Sequence, residues 1–211
     1  MLLYHRPTSG RSYKVRLLLA ILKVDFDESQ IFDKNGKDDV EDSYFDPNHR
    51  GQIPTLNDDG LVLWGSKATL VYLASKHDRE RARPPEVPAG MAAVMQRMGM
   101  AQDEINGMFL SRATQNFGYV GNLEVAQIAE NKALDVLKKH LNHSRWLAAE
   151  QPTIGDIARL PYVVVTCGNG FDLASRPALG RWLDRMVAQD GLLVIPGMEW
   201  LVADKTMVNS P

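Results

Sequence analysis

Apolar residues recur along the chain with two periods, and the change from one to the other marks out its elements. Leu2–His5 is a short apolar run that stops at Arg6-Pro7-Thr8-Ser9-Gly10, which predicts a strand followed by a loop. From Arg11 onward Tyr13, Val15, Leu17, Leu18, Ile21 and Leu22 repeat at three- and four-residue spacing, the signature of a helix with one buried face. Residues 26–32 predict a second strand and residues 37–45 a short charged helix. Pro54 opens a third strand, where its missing N–H restricts it to an edge or bend and where a cis Ile53-Pro54 bond is compatible with the sequence. Asn57-Asp58-Asp59-Gly60 then separates it from Leu61–Trp64, the pattern of a tight hairpin. Ser66 is expected to cap the amphipathic helix after it. The order βαβαββα gives a mixed sheet with helices on its faces, an α/β unit over residues 1–78.

Residues 79–90 lose all periodicity, are charged, and contain Pro84, Pro85 and Pro88, so they are expected to form a linker. Beyond them three long helical patterns cover about 91–116, 123–141 and 154–166, predicting an all-helical unit over residues 91–211. The third begins at Thr153-Ile154-Gly155-Asp156, a hydroxyl followed three residues later by an acid, which is a capping arrangement.

Composition narrows the class of function. With 45% hydrophobic and 24% charged residues and a formal charge of −2, the chain reads as an ordinary globular protein with no basic stripe, so neither nucleic acid nor an anionic membrane is an expected partner. Cys167 is the one cysteine, so no internal disulfide is available, and no spacing suits a metal. The first residues carry no basic-then-apolar leader pattern, and no run reaches membrane-spanning length. A cytoplasmic location is expected.

The stretch Asn48-His49-Arg50-Gly51-Gln52-Ile53-Pro54-Thr55-Leu56, followed by Asp59-Gly60 and by Gly65-Ser66-Lys67-Ala68-Thr69-Leu70-Val71-Tyr72-Leu73, resembles the glutathione-binding half of the soluble glutathione transferases. The Thr153-Ile154-Gly155-Asp156-Ile157 start and the Pro177-Ala178-Leu179 to Trp182-Leu183 run resemble that family's helical domain, while residues 91–145 carry little of the pattern. The resemblance implies a thioredoxin-like domain followed by an all-helical one. It also implies a homodimer, and glutathione as a substrate with no metal or other cofactor. The serine-type bacterial, theta, zeta and nu-like members are the nearest in kind. The implied reaction is attack of the glutathione thiolate on an apolar electrophile; isomerisation, dehalogenation, ether cleavage and a non-catalytic binding role remain as alternatives.

Candidate residues follow from the resemblance and from the chemistry of helix ends. The loop before the first helix leads to a helix N-terminus, whose free N–H groups and dipole favour an anion. There Ser9 stands where serine-type members place their activating hydroxyl, with Thr8 and Ser12 as competitors and Arg11 as a nearby charge. A free thiol ionises near pH 8.5, and lowering its pKa by about two units asks for about 2.7 kcal/mol of preference for the anion. The backbone of Ile53, presented by Pro54, is expected to pair with the cysteinyl part of glutathione, and Ser66 to meet its γ-glutamyl carboxylate. Gln52 with Lys37, His49 or Arg50 is placed toward the glycyl carboxylate. Gly65 stands where the family carries an acid for the γ-glutamyl ammonium, and Asp103 or Glu104 of a partner subunit is the alternative acceptor. An apolar acceptor cleft is expected from Met98, Met108, Phe109 and Phe117, with Arg97 and Arg112 for polar substituents and Trp200 closing it.

Overall fold

The computed structural model describes residues 1–31, 48, 51–78, 87–100, 122–168, 173–194, 198–200 and 202. Strands β1 (Leu2–His5), β2 (Asp27–Gln30), β3 (Thr55–Asp58) and β4 (Leu61–Trp64) form one sheet in the order β2-β1-β3-β4. β1 runs parallel to β2 and antiparallel to β3, and β3 antiparallel to β4. The parallel pair is joined through helix α1 (Gly10–Ile21), and helix α2 (Ser66–His77) follows the hairpin. The expected helix at 37–45 lies outside the described residues.

The central strands bury what the edges expose. Leu3 on β1 faces Leu56 on β3 across the register, and both are fully buried. β2, Asp-Glu-Ser-Gln, is polar and largely exposed, which suits an edge that must not pair with another chain. The hairpin turn carries positive φ at Asp59 (51°) and Gly60 (92°), the twist-matched geometry that the Asp-Gly pair favours. Gly60 N–H donates to Asn57 Oδ1 at 3.0 Å. The peptide between Ile53 and Pro54 is cis, and β3 proper begins one residue later than expected, at Thr55.

α1 is buried on almost every side because it lies between the sheet unit and the helical unit. It packs against α2 and against helix α5 (Ile154–Gly168). The helical unit also contains α3, over residues 88–100, α4 (Leu123–Leu141) and α6 (Pro177–Val187). α3 starts with Pro88 in its first turn, where proline is tolerated, so residues 88–90 of the expected linker are helical.

The start of α5 is the most heavily bonded point of the helical unit. The buried Asp156 carboxylate accepts from Leu147 N–H (3.0 Å), Thr153 N–H (2.9 Å), Thr153 Oγ1 (3.1 Å) and Trp182 Nε1 (2.9 Å). Burial pushes its pKa up, and these four donors pull it back down by favouring the anion. The capping motif thereby joins α5, α6 and the segment after α4. Arg97 belongs to the same scaffold: its Nε donates to Leu147 O at 2.7 Å and its Nη2 lies 3.1 Å from His140 Nδ1. The guanidinium expected to face a substrate is therefore engaged in joining α3 to the end of α4. Among the described residues no helix is long and apolar enough to cross a membrane.

Candidate functional site

A cavity of about 380 Å³ opens where α1, α2, the hairpin and α5 meet. One wall is the segment before β3, with Gln52 and Ile53. Its path is set from below by Asn48, a fully buried side chain whose Nδ2 donates to Gln52 O at 2.7 Å and to Thr55 Oγ1 at 2.6 Å. Thr55 Oγ1 in turn donates to Gln52 O at 3.0 Å, and Gly51 takes a positive φ of 57° to make the bend. The asparagine of the sequence motif is thus the internal brace of the loop. Pro54 is buried behind this wall, and its carbonyl accepts from Gly65 N–H at 3.2 Å.

The floor is the first turn of α2, from Gly65 to Ala68, with the half-exposed Trp64 beside it. Gly65, not Ser66, holds the N-cap position: its backbone is at φ 86°, ψ 121°, outside the helical region, and Ser66 is already the first helical residue. The physical reason is that Gly65 O accepts from Thr69 N–H (3.2 Å) and Thr69 Oγ1 (3.1 Å), so the helix is entered from the glycine. As a glycine, the N-cap residue contributes no side-chain hydrogen bond to this end. Ser66, Lys67 and Ala68 of this first turn line the cavity, and a helix N-terminus favours an anion.

The third wall is cationic. Arg11 and Lys14 of α1 line it together with Tyr162 of α5. Lys14 is 3% exposed and its ammonium lies 4.5 Å above the Tyr162 ring. Burial, and then the charges of Arg11, Arg159 and Lys67, hold its pKa well below the usual lysine range. Gly10 lies against α5 at the same wall, where an added Cβ would stand in ordinary contact, 3.6 Å from both Pro161 Cβ and Tyr162 Cε1.

The three loop hydroxyls fare differently. Ser9 is half-buried and caps α1, its Oγ accepting from Ser12 N–H at 3.3 Å. A serine oxygen used in this way keeps its own O–H to donate. Ser12 is fully buried, and its Oγ accepts from Arg6 N–H at 3.3 Å, so the structure assigns it to packing and takes it out of competition. Thr8 is exposed. Tyr13 is also removed as a hydroxyl source, because it is fully buried and donates to Leu193 O at 2.8 Å.

Gln52, Ile53, Gly65 and Ser66 line one cavity together with Arg11, and Thr8, Ser9 and Ser12 are not among its described lining residues. Met98 is fully buried in the hydrophobic core, packed on the inner side of α3, so it is not a wall of an open cleft. Trp200 is half-buried against the same core. Lys37, His49, Arg50, Asp103, Met108, Phe109, Arg112 and Phe117 lie outside the described residues. Lys14, Lys67, Trp64 and Tyr162 are the wall residues that the pattern did not single out. For Lys14 a signal exists: it is four residues after Gly10 and three before Leu17, on the face of α1 that periodicity buries.

Residues 1–75 match the glutathione S-transferase N-terminal domain family and residues 122–190 the glutathione S-transferase C-terminal domain family. The chain belongs to the glutathione transferase family. It is 29% identical to glutathione S-transferase D7 of Drosophila melanogaster over 93% of this chain and 86% of that one. It is 31% identical to the disulfide-bond oxidoreductase YfcG of Escherichia coli, over 87% of this chain and 88% of the relative. Among solved structures, a possible glutathione S-transferase from Rhodopseudomonas palustris superposes with a TM-score of 0.79 at 30% identity, covering 92% of this chain and 96% of that one. The thioredoxin-like and all-helical halves of this glutathione transferase are the two parts the family models span, and the cavity lies where they meet.

Proposed function

We propose that this glutathione transferase, acting as a homodimer, ionises the glutathione thiol at the start of α1 and directs the thiolate onto an apolar electrophile. Ser9 donates its O–H to the sulfur while its oxygen continues to cap the helix. The thiol proton passes to solvent, the sulfur lone pair forms the new carbon–sulfur bond, and the leaving group departs with its electron pair. A charge-assisted hydrogen bond, a helix N-terminus and the nearby Arg11 together supply a preference of the size the thiol needs, about 2.7 kcal/mol. The cysteinyl backbone lies along Ile53, and the γ-glutamyl carboxylate meets Ser66 at the start of α2. The observation that carries this reading is the convergence of Ile53, Ser66 and Arg11 on one cavity, with Ser9 capping the helix that carries Arg11.

Isothermal calorimetry with glutathione, followed by a conjugation assay with an activated chloronitroarene, tests it. Millimolar-or-better binding and a thioether product are expected. Absence of glutathione binding would remove the basis of the reading. A second reading, glutathione-dependent disulfide exchange, is favoured by the name of the Escherichia coli relative. The protein brings no usable thiol of its own to such chemistry, since burial pushes the Cys167 thiol up to about 12, and both sulfurs would belong to glutathione. Product analysis separates the two.

A further inference from the structure

The charge around the cavity bears on which thiol it prefers. Arg11, Lys14 and Lys67 line it, the charge of Arg159 reaches Lys14 from behind, and no carboxylate is present among the described lining residues. The first turn of α2 adds the positive end of its dipole, entered from a glycine with no capping side chain of its own. Where an acid would receive a ligand ammonium there is Gly65, with nothing within 4 Å of the position of a Cβ. Lys14 is the strongest indicator. It is almost fully buried, its ammonium sits against the face of the Tyr162 ring, and the three charges acting on it are all positive. A buried ammonium in that setting lacks a counter-charge among the described residues, and a ligand anion in the cavity supplies one.

Resting on the glutathione reading, we propose that this end of the cavity selects thiol ligands whose γ-glutamyl end carries negative charge and no ammonium, so that deaminated glutathione binds more tightly than glutathione. The carboxylate gains from Lys14, Lys67 and the α2 N–H groups in either ligand. The α-ammonium of glutathione meets like charge at the same place, and removing it removes the repulsion.

The test is calorimetric titration of the protein with glutathione and with glutaryl-cysteinyl-glycine. The expected result is a dissociation constant about 5-fold or more lower for the deaminated ligand, as relief from one or two like charges implies. Lys14→Met is expected to shrink the preference. Lys67→Ser, a change at a half-exposed position that leaves the core untouched, is also expected to shrink it. Glutathione binding as tightly as or more tightly than its deaminated form overturns the proposal and leaves the transferase reading standing. If Asp103→Asn then erases a preference for glutathione, an acid beyond the described residues receives the ammonium, and the proposal is overturned for that reason. Failure of both ligands to bind overturns the transferase reading along with it.

Discussion

The hydroxyl of Ser9 serves the fold through its oxygen and the proposed chemistry through its proton, so one substitution separates two effects. Ser9→Ala removes the cap on Ser12 N–H, which costs about 1 kcal/mol, or roughly 2–4 °C in Tm for a chain of this size. It also removes the thiolate donor. Turnover is expected to fall about 10²-fold, equivalent to about 2.7 kcal/mol in the transition state, with little change in glutathione affinity. Steady-state kinetics beside a thermal melt check both, and an unchanged kcat would transfer the role to the exposed Thr8. Gly65 separates two effects in another way. At φ 86°, ψ 121° any side chain is strained by about 1–3 kcal/mol, yet there is open space for a Cβ. That strain is present in the free and the bound protein alike, so it lowers Tm and cancels from the dissociation constant. Gly65→Glu is therefore expected to melt at lower temperature while binding glutathione more tightly, by at most the worth of one charge-assisted hydrogen bond, about 1.5–3 kcal/mol. Weaker binding in a folded Gly65→Glu protein would mean that the γ-glutamyl end lies elsewhere.

At the scale of elements, β3 is tied to α2 by a polar contact at the rim of the sheet. Asp58 accepts from Lys76 Nζ at 2.5 Å and from Tyr72 OH at 2.7 Å, and these two donors hold its carboxyl below the usual carboxylate range. The folded state thus prefers the ionised form more than the unfolded chain does. Its contribution is present above the ordinary aspartate pKa of about 3.9 and disappears as pH falls through the lower folded value. The wild-type urea midpoint is expected to drop more steeply than that of Asp58→Asn between about pH 5 and pH 3. Parallel curves would show that the contact contributes nothing, and because Lys76 is 42% exposed the difference should shrink in high salt. The hairpin, the α2 helix and the capped α5 were legible in the sequence because each announces itself locally, through Asp59-Gly60, through the run from Ser66, and through Thr153 with Asp156. The N-cap at Gly65 was not, since Ser66 is the better capping residue by propensity and only the Thr69 bonds to Gly65 O move the boundary. Lys14 left one signal, its place on the face of α1 that periodicity buries, and its residue type argues against reading it. A lysine on a helix reads as solvated until a second helix, here α5, is known to cover it.

At the scale of the whole molecule, the cavity exists only if the two halves stay docked, and much of that docking is borne by α1. Its N-terminal half rests on Tyr162 of α5. Its central Tyr13 donates to Leu193 O, beyond α6. Its last turn is approached so closely by Gly191 that a Cβ there would stand 2.7 Å from Ala20 O and 2.8 Å from Ala20 C, in a backbone already at φ 84°. Gly191→Ala therefore meets two penalties. The positive φ costs an L-residue about 1–2 kcal/mol, and a contact below 3 Å with backbone atoms forces the segment off α1, for about 1–3 kcal/mol more. A loss of about 2–5 kcal/mol in unfolding free energy is expected by urea denaturation. The shape of the transition carries further information than its midpoint. If docking through α1 makes the halves one cooperative unit, Gly191→Ala shifts a single transition that fluorescence and circular dichroism report together. If the halves are stable apart, the substitution splits the transition in two, and the part of the signal lost first coincides with loss of glutathione binding, because Ile53 and Ser66 would remain in one half while Tyr162 departs with the other.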